Sequence, residues 1–112
     1  MLQLEETAEG GVLVVAPKGR LDSAASPGFG ERLAQLAQAP SARLVLDLGG
    51  VDFLSSAGLR VILSTLKTLK AGQGRMAVCA VQPPVLEVLE ISGFAALLSI
   101  HPGRSGALEA LA

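Results

Sequence analysis

Two hydrophobic rhythms alternate along the chain. Short continuous apolar runs bounded by glycine predict strands covered on both faces. Apolar residues recurring every three or four positions predict helices with one buried side. Residues 2–6 fit a first short strand. Glu9-Gly10-Gly11 is a turn signal, because glycine tolerates positive φ. The run Val12-Leu13-Val14-Val15-Ala16 then predicts an interior strand, and the two pieces form a hairpin. A helix is expected over 27–39, capped by Ser26 and started by Pro27. Its apolar side is Phe29, Leu33, Leu36 and Ala37.

Residues 43–48 predict the next strand, broken by Gly49-Gly50. Val51-Asp52-Phe53-Leu54 leads into Ser55-Ser56-Ala57-Gly58, from which a second helix runs to about Ala71. Leu59, Ile62, Leu63, Leu66 and Leu69 form its buried side. A strand over 75–81 follows, then a helix from Pro83 carrying Val85, Leu86, Leu89 and Ile91 and ended by Ser92-Gly93-Phe94. A short edge strand over 97–100 and a small helix over 104–111 complete the chain. Strands alternating with helices require right-handed crossovers. The expected architecture is therefore α/β, with a mixed, mainly parallel sheet, an N-terminal hairpin and about four helices. Residues 1–112 read as one domain.

Composition narrows the function classes. Half of the 112 residues are hydrophobic and 17% are charged, which excludes a disordered chain. Trp and Tyr are absent and aromatics make up 3% of the chain, which argues against stacking bases or sugars on an aromatic platform. A formal charge of −1 offers no basic excess for nucleic acid. No apolar run approaches the ~20 residues of a membrane span, so no membrane insertion is expected. The N-terminal stretch is acidic and lacks the order of a secretion signal. The single Cys79 fits a reducing compartment, and a cytoplasmic domain is the expectation.

The catalytic inventory is poor. His101 reads as an ordinary surface or loop residue, and Cys79, in an apolar strand, as a buried structural thiol. No metal-ligand spacing, dinucleotide fingerprint or Walker-type phosphate loop occurs, and no cofactor is expected. The informative stretch is Asp52-Phe53-Leu54-Ser55-Ser56-Ala57-Gly58-Leu59-Arg60, which joins a strand end to a helix start. In open α/β sheets that junction is where binding usually happens. Ser55 reads as the helix cap. Ser56, Arg60, Ser64 and Lys67 share one polar side of the helix, whereas Leu59, Ile62 and Leu66 face the core. A phosphoryl group on Ser56 would meet the positive end of the helix dipole, one turn from Arg60. Arg60 reads equally as a solvated surface charge.

These stretches resemble a known family, the anti-sigma factor antagonists that carry the STAS domain. Gly19-Arg20-Leu21-Asp22 is similar to the family's Gly-x-Leu/Ile-Asp turn, and Leu44-Val45-Leu46-Asp47-Leu48 to its central strand. Val51 to Leu59 resembles its phosphorylation loop, and Gly93-Phe94 the end of its third helix. The resemblance implies a STAS-like fold and a non-catalytic switch. Family members bind an anti-sigma factor that is also a serine kinase of GHKL type and so release a sigma factor. The kinase phosphorylates a loop serine and a PP2C-type phosphatase resets it. Aligned on that pattern, the phosphorylated residue is Ser56, with Ser55 second, since Ser55 stands where many members have Asp. Partner contacts are expected at Asp22, Ser55, Ser56, Gly58, Leu59 and Arg60. Asp22 reads either as a turn residue or as a charge placed near this loop. Within the same fold, the alternatives are a STAS subunit of a membrane transport complex and a stress-signalling scaffold. A small phosphate-binding enzyme using the helix N-terminus would need a general base beside the serines, and the sequence offers none.

Overall fold

The computed structural model, which describes residues 2–112, opens on the hairpin of β1 (Gln3–Glu9) and β2 (Val12–Leu21). Gly10 and Gly11 make its turn with φ of 58° and 80°. Positive φ at both central positions gives the turn a twist that matches the flanking strands. Then come α1 (Ser26–Ala37), β3 (Arg43–Asp47), β4 (Gly50–Leu54), α2 (Ser56–Ala71), β5 (Arg75–Cys79) and α3 (Pro83–Ile91). A 3-10 turn (Phe94–Leu97), β6 (Ile100–His101) and α4 (Arg104–Leu111) close the chain.

The six-stranded sheet runs β1-β2-β3-β5-β6, with β4 pairing β2 beyond the end of β3. The β1–β2 pair is antiparallel and all the others are parallel, which gives the mixed sheet expected from the hairpin and the crossovers. Helices cover both faces. Phe29 and Leu33 of α1, Ile62 and Leu69 of α2, and Val85 and Leu89 of α3 share one core with Val15, Leu46 and Val78 of the sheet. Ala107 and Leu111 of α4 cover the other face, over Val12, Val14, Val45, Ala77 and Cys79. β2 starts as a continuous apolar run because both of its faces are buried.

Several boundaries differ from the sequence expectation. Residues 51–54, read only as a lead-in, are most of strand β4. They do not alternate as a strand should: Val51 and Leu54 are buried while Asp52 and Phe53 are exposed. β2 continues through Gly19-Arg20-Leu21, which the sequence had suggested as a turn, because β4 supplies a partner there. The strand expected over 75–81 stops at Cys79. The edge strand expected over 97–100 is instead a 3-10 turn followed by β6.

Ser26 is not the cap of α1. Ala25 holds that position without a side-chain bond, and Ser26 is buried inside the first turn, its hydroxyl donating to the Asp22 carbonyl at 2.6 Å. Leu63 is only partly buried, and Thr65 takes a core position by donating its hydroxyl to the Val61 carbonyl. Ile91, expected on the apolar side of α3, stands 79% exposed.

Candidate docking site

The site is built where the end of β2 meets the start of α2. The Leu21 carbonyl accepts from the Ser55 N–H at 2.9 Å and from the Ser55 hydroxyl at 2.8 Å. The same Ser55 oxygen accepts from the Gly58 N–H at 3.1 Å, which makes Ser55 the cap of α2. Such a cap is worth about 1 kcal/mol over alanine. Gly58 is required by the close approach. A Cβ there would stand 2.9 Å from both the Leu21 carbonyl oxygen and Leu54 Cδ1.

Ser56 begins the helix one residue on and behaves differently. It is exposed, and among the described residues its hydroxyl has no hydrogen-bond partner. Its N–H and that of Ala57 open the helix without intrahelical acceptors, so the positive end of the helix points at the same place. Arg60, Ser64 and Lys67 continue the exposed stripe, as the spacing indicated. α2 has no acidic residue.

Leu59 and Gly58, expected at the partner surface, lie in the interior instead. Leu59 is 7% exposed and belongs to the main core, and Gly58 is sealed against Leu21 and Leu54. Helical geometry turns both inward when Ser56 and Arg60 point outward. They hold the loop from beneath and offer no side chain for docking.

Asp22 follows Leu21 and organises the turn into α1. Its Oδ1 accepts from the Ala25 N–H at 2.9 Å, and its carbonyl accepts from the Ser26 N–H at 3.1 Å. The carboxylate is half-buried, one residue beyond the carbonyl that anchors Ser55. The turn reading of Asp22 is the one these contacts describe, and the residue adjoins the carbonyl that holds Ser55. A depression of about 340 Å³ runs between the starts of α1 and α2, with Ser23 and Pro27 on one wall and Ala57 and Arg60 on the other.

Sequence reasoning passed over Phe53 and Arg20. Phe53 is 38% exposed, and the Arg20 guanidinium lies over its ring, 4.1 Å from the centroid. The cause is a break in the β2–β4 register: Gly19 pairs with Val51, but Arg20 pairs with Phe53, leaving Asp52 as the extra residue. A bulge flips the face presented by every later residue. Without it Phe53 would follow Val51 inward. The available signal was the run Val51-Asp52-Phe53-Leu54, which cannot bury both Val51 and Leu54 on one face by simple alternation.

Cys79 and His101 lie elsewhere. Burial pushes the Cys79 thiol up to about 11, and the nearby Asp47 charge acts in the same direction. It stays a neutral thiol around pH 7, in line with a structural role. His101, expected on the surface or in a loop, sits in edge strand β6, half-buried, with Nε2 2.7 Å from the Ser99 hydroxyl.

Comparison with known proteins decides the family. The profile of the STAS domain matches residues 3–107. The chain belongs to the STAS domain family. It is 39% identical to BtrV of Bordetella bronchiseptica, described as a candidate anti-sigma factor antagonist, over 89% of this chain and 86% of that protein. It is 35% identical to the anti-sigma F factor antagonist of Paenibacillus polymyxa, over 98% of this chain and 95% of the relative. The crystal structure of an anti-sigma factor antagonist from Mycobacterium paratuberculosis superposes with a TM-score of 0.87 at 28% identity, covering 99% of this chain and 94% of the other. Among the described residues of this STAS domain, no helix is long and apolar enough to cross a membrane.

Proposed function

We propose that this STAS domain is an anti-sigma factor antagonist that docks through the β2–α2 junction and is switched by phosphorylation of Ser56. The names of its relatives support the antagonist role. The observation that carries the switch is the contrast between adjacent serines. Ser55 Oγ is tied to the Leu21 carbonyl and the Gly58 N–H, whereas Ser56 Oγ is exposed and unbonded among the described residues. A kinase can take Ser56 without undoing the helix cap.

The partner is an anti-sigma factor that is also a serine kinase of GHKL type. It transfers the γ-phosphoryl group of ATP to Ser56 Oγ: the new P–O bond forms, ADP leaves, and the hydroxyl proton passes to a base of the kinase. A PP2C-type phosphatase hydrolyses the ester and resets the switch. The phosphate adds a charge of about −1.5 to −2. Free N–H groups at the start of α2 and the nearby Arg60 accommodate it, so the fold persists. In a docked interface the same charge lies beside the Asp22 carboxylate with its water removed, and association weakens strongly. Phe53 and Arg20 are the outward-facing anchor, since protein interfaces are enriched in aromatic residues and arginine.

The test is phosphorylation of the purified chain by its anti-sigma factor kinase with ATP, followed by peptide mass spectrometry. One phosphate on Ser56 is expected. Ser56→Ala abolishes it, and Ser55→Ala leaves it largely intact. The reverse pattern overturns the assignment.

A further inference from the structure

We propose that the helical face around the 3-10 turn is a two-fold docking surface for a second copy of this chain, with α2 of one copy lying against α3 of the other. A groove of about 600 Å³ separates α2 from the 3-10 turn. Leu63, Leu66, Phe94 and Leu97 line it, and Arg60, Lys67 and Lys70 stand along its α2 side. Those cations are the full set of charges on α2, and among the described residues none makes an ion pair. They span about 15 Å of helix at ~1.5 Å per residue, too long a row for one anionic headgroup.

The matching surface is on the same molecule. α3 carries Glu87 and Glu90 and no basic residue, and neither glutamate makes an ion pair among the described residues. Both are exposed, and Ile91 shares their side of the helix at 79% exposure. Leu97, in the 3-10 turn that packs between α3 and the groove, is 58% exposed. The lateral order α2, 3-10 turn, α3 is what a self-complementary contact needs. A two-fold axis near Leu97 sets Leu97 against its own copy and brings each α2 onto the opposite α3. Cations then meet carboxylates on both flanks, and the exposed Leu97 and Ile91 are covered at the centre. Arg60 stands one turn from Ser56 at the near end of the row, whereas Lys67 and Lys70 lie at least about 16 Å along α2 from Ser56, so those two lysines test this contact apart from the serine switch.

Sedimentation velocity of the full chain over a concentration series tests the proposal. Wild type is expected to double its mass as concentration rises. Lys67→Glu with Lys70→Glu gives a monomer, as does Glu87→Lys with Glu90→Lys, each with an unchanged far-UV spectrum. Ile91→Ser weakens the dimer without touching any charge. An equimolar mixture of the two charge-reversed variants regains a dimer, because each α2 then faces an oppositely charged α3. Wild type that stays monomeric at every concentration overturns the proposal and leaves the groove to an acidic helix of another protein. Charge-reversed variants that still dimerise alone, or a mixture that stays monomeric, also overturn it.

Discussion

Ser55 and Leu21 are joined twice: the Ser55 N–H and the Ser55 hydroxyl both donate to the Leu21 carbonyl, at 2.9 and 2.8 Å. A single carbonyl at the end of β2 thus fixes where α2 begins. Ser55 is used up in this joint, and its neighbour Ser56 stands exposed at the surface.

Removing Ser55 therefore costs stability, and removing Ser56 does not. Ser55→Ala loses the cap and the tie to β2, and is expected to destabilise the protein by about 1–2 kcal/mol. Ser56→Ala stays within about 0.5 kcal/mol of wild type. Urea unfolding followed by circular dichroism checks both, with an unchanged m value.

Gly58 is held by space rather than by backbone angle. Gly58→Ala drives a methyl group into the Leu21 carbonyl and Leu54, at 2.9 Å from each. Overpacking of this kind costs about 1–3 kcal/mol. The thermal midpoint falls accordingly, and docking weakens with it because the junction moves.

Phe53→Ala and Arg20→Ala separate docking from folding. The Phe53 ring is 38% exposed, so its loss costs little stability compared with a core phenylalanine. As an anchor it is worth more than ~1 kcal/mol of binding, about a fivefold loss of affinity or more. Calorimetric titration with the anti-sigma factor measures it. An affinity equal to wild type removes Phe53 from the docking surface.

The acid limb of stability carries the Glu6–Arg32 pair, which ties β1 to α1 at 2.6 Å. The hydrogen bond from Arg32 holds the Glu6 carboxyl below its ordinary 4.5. A lowered carboxylate pKa contributes stability that is present above pH 4.5 and lost as pH falls through the folded value. Glu6→Gln is expected to flatten the stability curve in that window and to leave its shape above pH 6 unchanged. Urea midpoints across pH 3–7 check the sign.

Much of this was legible in the sequence, for identifiable reasons. The apolar spacing of α2 gave its buried side, and Ser55 is the cap because it precedes the first helical turn. Gly10-Gly11 announced the hairpin, since few other residues accept that turn. What stayed hidden depended on partners distant in sequence. β4 is short and bulged, and only its pairing with Lys18–Leu21 defines it as a strand. The bulge also exposes Phe53, which no local alternation indicates. Ser26 carried a capping signature, yet Asp22 holds the Ala25 N–H and the Ser26 hydroxyl turns back onto the Asp22 carbonyl. Leu59 was read both as core and as docking surface, and its burial leaves only the first role.

The central claim concerns the charge state of one exposed hydroxyl. Calorimetric titration of the anti-sigma factor with unmodified and with Ser56-phosphorylated protein tests it most directly. An affinity lower by about 100-fold, ~3 kcal/mol, is the predicted result for the phosphorylated form, and Ser56→Asp shows part of the same loss. Equal affinities for the two forms contradict the account.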